Sequence, residues 1–293
     1  MAENAIHKPV LLEEIVEWLA PRPGAVIVDG TLGGGGHTRV LAERVGPDGI
    51  ILALDRDPAA VEAAQQRLAG LPVKVLQGNY CDIPEALKEL HISAIDGVVL
   101  DLGMSSDQLA DADRGFSFSS EGPLDLRFDP ERGEPAWRLL NRLSATHLAD
   151  LIYQFGEERY SRRIAKAIVD RRHSNPIRTS QELAELLRKC IPASRDTARI
   201  DPATRTFQAL RIAVNDELKS LEIGLRRIPD CLRPQARMAV ISFHSLEDRR
   251  VKEAFRDDQR LQVLTRKPVV AGPEETAQNP RARSAKLRVA ERK

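Results

Sequence analysis

The chain has 293 residues, 42% hydrophobic and 30% charged, which suits a sizeable core and excludes a disordered chain. No apolar run nears the roughly 18 residues a bilayer requires, the start (MAENAIHKPVLLEE) lacks a signal peptide's basic end and apolar stretch, and Cys81, Cys190 and Cys231 are too scattered for a disulfide framework or a zinc site. The balance of 44 Lys+Arg against 43 Asp+Glu hides an acidic first half (13 against 24 in residues 1–155) and a basic second half (31 against 19 in residues 156–293). A cytoplasmic protein with no membrane partner and no metal site is expected.

Val10–Leu19 (VLLEEIVEWL) reads as an amphipathic helix. Four strands then alternate with helices: Ala25–Asp29, Ile50–Asp55, Val73–Gln77 and Gly97–Asp101, short, rich in Val, Ile and Leu, and apolar on both faces as covered parallel strands are. Between them Thr38–Val45, Pro58–Ala69 and Ile83–Leu90 have helical composition, the second opening on Asp57-Pro58. Repeated strand–helix–strand units predict a doubly wound α/β sheet.

After Gly103 the alternation stops. Residues 104–134 read as loop, while Leu139–Leu151, Arg159–Arg172, Ser180–Cys190 and Thr204–Arg227 read as helices. Strands return at Met238–Phe243, Leu261–Thr265 and Lys286–Ala290. The sequence therefore predicts one sheet of about seven strands, built from residues 1–106 and 207–293 and interrupted by a helical insertion over 107–206.

In an open parallel sheet, ligands bind beyond the carboxyl ends of the strands at the switch point. Three features fall there. Asp29-Gly-Thr-Leu-Gly-Gly-Gly-Gly-His37 is a glycine-rich turn between strand and helix, where Gly33, Gly34, Gly35 and Gly36 carry no Cβ and let backbone approach a ligand. Its spacing fits neither the dinucleotide G-x-G-x-x-G, since Thr38 and Arg39 stand where glycine is needed, nor the G-x-x-x-x-G-K-[ST] phosphate loop. Asp55 closes the second strand, where a carboxylate can accept from two ribose hydroxyls or cap a helix, although Asp57 can cap instead. Asp101 closes the fourth, and a carboxylate ending a buried strand is costly without a ligand or partner.

These features resemble a Rossmann-like class I S-adenosylmethionine-dependent methyltransferase. The blocks HKPVLLEE, DGTLGGGGH, ALDRDP, DLGMSSDQL, RGFSF, GPLDLR, FQALRIAVNDEL, ISFHSLEDR and NPRARSAKLRVAE, running from His7 to Glu291, are similar in order to those of the bacterial 16S ribosomal RNA cytosine-N4 methyltransferase family. The resemblance implies methylation of the N4 amine of one decoding-region cytosine in the small (30S) ribosomal subunit, with the helical insertion recognising RNA. It places cofactor contacts on Gly35, Gly36 and His37, on Asp55 for the ribose, on Tyr80 against the adenine, and on Asp101 and Gln108 around the methionine end. For His37 a helix cap, and for Tyr80 a core position, are the plainer alternatives.

An exocyclic amine must be aligned with the methyl group, and its protons accepted so that the lone pair localises. Related amine methylases resemble one another in a [D/N/S]-P-P-[Y/F] motif, and this chain has Asp101-Leu-Gly-Met instead, which disfavours a DNA amine methylase and leaves Asp101 either a catalytic acceptor or a cofactor ligand. Ser242-Phe243-His244-Ser245 follows the fifth strand on the same sheet edge, so His244 is a second catalytic candidate beside Asp101, with a structural hydrogen bond as its alternative. A Ser-His-Asp hydrolase lacks its G-x-S-x-G elbow. Arg281, Arg283, Lys286 and Arg288 form a basic tail expected to hold RNA phosphates or to sit in solvent. A non-catalytic, RNA-binding assembly factor is the remaining alternative, and the sequence leaves a homodimer open.

Overall fold

The computed structural model describes residues 9–118, 121–192 and 201–293. The chain folds as two compact units, one of residues 1–105 and 218–293 and the other of residues 106–217. The return to the first unit thus comes at Leu218, later than residue 207. Each unit has its own logic.

The first unit opens with helix α1 (Leu12–Leu19), which buries Ile15 and Leu19. Then come β1 (Val26–Asp29), α2 (Gly36–Val45), β2 (Ile50–Asp55), α3 (Pro58–Arg67), β3 (Val73–Gln77), α4 (Ile83–Glu89) and β4 (Ile95–Asp101). Proline at the first position of α3 and the Asp57 side chain, which accepts from the Ala59 N–H at 3.1 Å, start that helix as its sequence implies.

The helical unit holds α5 (Ser106–Ala110), α6 (Ala136–Arg142), α7 (Ala145–Gly156), α8 (Ser161–Ser174), α9 (Ser180–Cys190) and α10 (Thr204–Asn215). The single helix expected over Leu139–Leu151 is two, because Ser144 takes an extended conformation and its side chain accepts from the His147 N–H, starting α7 anew. The helix expected over Thr204–Arg227 also divides, at Asp216, whose left-handed φ of 50° ends α10. Buried Asn215 ties this unit together, accepting from the Phe128 N–H and donating to the Leu126 carbonyl, each at 2.7 Å.

α11 (Glu217–Arg227) leads back to the sheet, followed by β5 (Leu232–Ser242), α12 (Ser245–Asp257), β6 (Leu261–Val263), α13 (Pro273–Gln278) and β7 (Lys286–Arg292). The seven strands lie in the order β3-β2-β1-β4-β5-β7-β6. β1 to β5 run parallel, while β7 is antiparallel to both β5 and β6. Helices cover both faces, so the central strands are apolar on each: Val28, Leu52, Val98, Leu100, Met238 and Val240 pack with α4, α11 and α12, and Ile27, Ile51, Val99, Ala239 and Ile241 pack with α1 and α2. Among the described residues no helix is long and apolar enough to cross a membrane.

Candidate active site

Strand order reverses at β1, which has β2 on one side and β4 on the other, so the crevice of the doubly wound sheet opens beyond the carboxyl ends of β1 and β4. Register brings three segments to that edge. Asp29 ends β1 beside Val99 of β4, and Asp101 ends β4 beside Ile241 of β5, immediately before Ser242-Phe243-His244.

The glycine turn is built on Asp29, which is 1% exposed yet fully partnered. One carboxylate oxygen accepts from the Thr31 N–H at 3.1 Å and the other from the Thr38 hydroxyl at 2.6 Å, folding the turn back onto the first turn of α2. Gly33 and Gly35 have φ of 48° and 79°, a conformation costly for any side chain with a Cβ. Gly36 lies against Pro9, where an added Cβ would stand 2.9 Å from the ring. Gly35 caps α2 without any side-chain hydrogen bond, which leaves first-turn amides of that helix for a ligand.

Asp55 is not a helix cap, since Asp57 takes that place. Its two oxygens accept from the Gly33 N–H (2.7 Å) and the Asp57 N–H (2.9 Å), so it pins the glycine turn to the end of β2 while each oxygen keeps a lone pair. Burial pushes its pKa up to about 6 despite those two bonds.

Asp101 differs. Its backbone N–H donates to the Thr31 hydroxyl at 2.6 Å, but side-chain Oδ1 is buried with no hydrogen-bond partner among the described residues. A buried acceptor left unmade is costly and calls for an explanation, and at the sheet's switch point a ligand group is the natural candidate. Burial raises its pKa to about 6; His37 and Arg281 pull it down, and Asp29 and Glu247 push it up. His37, 5% exposed, does not cap α2 with its ring: Nε2 lies 2.9 Å from the Val10 carbonyl and donates to it, leaving Nδ1 4.0 Å from an Asp101 oxygen.

Tyr80 follows β3 and packs along the edge of the core, its ring against Gly224 of α11. Gln108 lies outside this unit, buried in α5 of the helical one. His244 is the N-cap of α12: Nδ1 accepts from the Glu247 N–H at 3.4 Å while Glu247, 2% exposed, accepts from the Phe243 and His244 N–H groups. Its Nε2 lies 3.2 Å from a Glu247 oxygen but, like Oδ1 of Asp101, is buried with no hydrogen-bond partner among the described residues.

The expected basic tail is corrected in part. Arg288 is 6% exposed and paired with Asp248 at 2.6 Å, and Lys286 shares that carboxylate, because β7 turns both toward α12. Arg281 turns inward, donating to the Met104 carbonyl at 2.5 Å. Arg283 alone of the four is exposed. Asp29, Thr31 and Thr38, which assemble the turn, escaped the sequence reading, although Asp29 closes its strand just as Asp101 does. Among the described residues no group of three or more His, Cys, Asp or Glu side chains is arranged to hold a metal ion.

The model of the MraW methylase family matches residues 4–293. The chain belongs to this family. It is a methyltransferase, and its curated MraW relatives span the same length: it is 50% identical to ribosomal RNA small subunit methyltransferase H of Trichlorobacter lovleyi, over 99% of both chains. It is 52% identical to the protein of the same name from Rhodopirellula baltica, over 99% of this chain and 93% of that one. A crystal structure from Clostridium thermocellum, assigned as an rRNA-methylase, shares the fold at a TM-score of 0.50 and 13% identity, covering 98% of this chain and 99% of that one.

Proposed function

We propose that this methyltransferase moves the methyl group of S-adenosylmethionine to the N4 amine of one cytosine in the decoding region of 16S ribosomal RNA, acting on small (30S) subunits in the cytoplasm. The observation that carries the reading is the unpartnered oxygen of Asp101 at the mouth of the switch-point crevice, beside a turn that Asp29 and Asp55 hold open. Relatives half identical over nearly the whole chain are named for methylating small-subunit ribosomal RNA.

The residues present fit the cofactor. The spare lone pairs of Asp55 suit ribose hydroxyl donors, Gly33 to Gly36 leave room for a close backbone approach, and Tyr80 offers a ring for the adenine. When bound, S-adenosylmethionine supplies an electrophilic methyl group on a cationic sulfur. His37 and Asp101 line the methionine end.

The acceptor chemistry falls to Asp101, the catalytic residue of this reading. The cytosine amine shares its lone pair with the ring, and an acceptor for one N–H localises that pair on nitrogen. Oδ1 accepts that hydrogen bond and takes the proton as the new C–N bond forms and the methyl–sulfur bond breaks, its electron pair leaving with the sulfur of a neutral thioether. A carboxylate with a pKa of about 6 returns the proton to water at neutral pH. His244 is the second candidate for the proton, reachable only through Nε2.

A target amine on a base edge requires an unstacked or single-stranded base. Exposed Arg162, Arg163, Lys166 and Arg171 on α8 give the helical unit a surface for RNA phosphates.

The test incubates the protein with tritiated S-adenosylmethionine and small subunits from a strain lacking the enzyme, with duplex DNA as control. Label is expected in the small-subunit RNA over many turnovers and not in the DNA. Cofactor bound without transfer would leave a non-catalytic assembly factor, and no cofactor binding would overturn the assignment.

A further inference from the structure

Arg281 lies in the turn Pro280–Ser284 that precedes β7, far along the chain from the strand ends it touches. Its guanidinium donates to the carbonyl of Met104, three residues after Asp101, at 2.5 Å. The same group lies over the ring of Phe243, 5.8 Å from the centroid, in the segment that follows β5. One cation therefore bridges the two loops that flank the Asp101 carboxylate, which are already neighbours through the pairing of Asp101 with Ile241.

The loop after β4 has special need of such a clamp. Where related amine methylases carry two prolines, this chain has Leu102-Gly103, and Gly103 has a φ of 97°. Proline stiffens a chain by fixing φ, whereas glycine leaves it free. A hydrogen bond from a charged donor to the Met104 carbonyl replaces that lost rigidity from outside the loop. Four charged or titratable groups face the carboxylate from separate elements: Arg281 from the turn before β7, His37 from α2, Asp29 from β1 and Glu247 from α12. Of these, Arg281 also grips the loop carrying Asp101.

We propose that Arg281 is a positioning residue for methyl transfer, clamping the Asp101–Met104 loop against the Phe243 segment and setting a cation beside the acceptor carboxylate. It serves the loop rather than an RNA phosphate. The inference rests on the proposed methyl transfer to a base amine. It extends that reading, because Arg281 itself touches no reacting atom.

The experiment compares wild type, Arg281→Ala and Arg281→Lys, measuring kcat and KM with small subunits from pH 5 to 8.5, together with S-adenosylhomocysteine binding by calorimetry. For Arg281→Ala, kcat is expected to fall about 100-fold, the scale on which a small misplacement at a reacting centre is felt. KM for the subunits should change less than threefold, and S-adenosylhomocysteine should still bind. The acid limb of the kcat profile should move to higher pH in Arg281→Ala, as a cation is lost beside Asp101. In Arg281→Lys that limb should return toward the wild-type position while kcat stays low, because an ammonium restores charge without the planar fork. A raised KM with unchanged kcat and acid limb would make Arg281 a phosphate contact and overturn the proposal. So would unchanged kinetics, or the failure of both variants to fold and bind S-adenosylhomocysteine, which would make the residue purely structural. If wild type itself transfers no methyl group, it is the underlying reading that fails.

Discussion

Replacing Asp55 with Asn separates ligand binding from folding. In the native turn its two oxygens accept from the Gly33 and Asp57 N–H groups. Asn can accept only one of these and presents an NH2 group to the other, losing roughly 1–3 kcal/mol through one unpaired amide. Burial, however, outweighs both bonds to the ionised form and leaves the Asp55 pKa raised from the ordinary 3.8 to about 6, so the ionised side chain, its charge-assisted bonds included, costs the neutral-pH protein about 3 kcal/mol that Asn does not. The two effects nearly cancel. Asp55→Asn should melt within about 5 °C of wild type at pH 7.5, while its affinity for S-adenosylhomocysteine falls about 10- to 100-fold through a lost ribose acceptor.

The sign with pH follows. A carboxylate whose folded pKa is raised destabilises the unliganded protein above about pH 6, and that penalty fades as pH falls from about 6 to about 4. Wild type should gain this stability on acidification while its ligand affinity drops; Asp55→Asn should lack the Asp55 share of the gain and hold a flatter affinity. Calorimetric titration and thermal melts at pH 7.5 and 5 measure both. Unchanged affinity with a melting point lowered by more than about 10 °C would refute the reasoning and leave Asp55 a strut of the glycine turn.

Three further outcomes follow. Asp101→Asn should bind S-adenosylhomocysteine within about threefold of wild type while turnover falls about 10²- to 10⁴-fold, and wild-type kcat should decline with unit slope below about pH 6; loss of binding in step with turnover would make Asp101 a cofactor ligand only. Gly36→Ala should weaken S-adenosylhomocysteine binding at least tenfold, because the new methyl group meets Pro9 and displaces the Val10 carbonyl that orients His37; a calorimetric Kd equal to wild type would show that Pro9 yields freely. His244→Asn keeps a side chain able to cap α12, so thermal melts should match wild type within about 1 kcal/mol while His244→Ala loses about 1–2 kcal/mol; a turnover loss beyond about 100-fold in a stable His244→Asn would instead give His244 the proton.

Much of the sheet was legible because covered parallel strands read as short Val, Ile and Leu runs, and Asp29, Asp55 and Asp101 each close one of them. The helical unit was less so. Its divisions at Ser144 and Asp216 depend on single-residue conformations that a run of helix-forming residues conceals. In the site, the glycine turn and the two carboxylates proposed to meet ligand, Asp55 and Asp101, stand out by residue type and place. What holds them does not: Asp29 with Thr38, His37 with the Val10 carbonyl, and Arg281 with the Met104 carbonyl are pairings set by sheet order and strand register, and the last joins residues 177 positions apart. Charge alone also cannot tell a solvated arginine from one buried against a partner, so the sequence groups Arg288 with a basic tail although it pairs with Asp248.

The most direct measurement is mass-spectrometric identification of the nucleoside and its position in 16S RNA, after small subunits from an enzyme-deficient strain react with deuterated-methyl S-adenosylmethionine. N4-methylcytidine at one decoding-region position, with label dependent on Asp101, is the expected result. Label on a ring carbon, on ribose or on another base would contradict transfer to a cytosine amine.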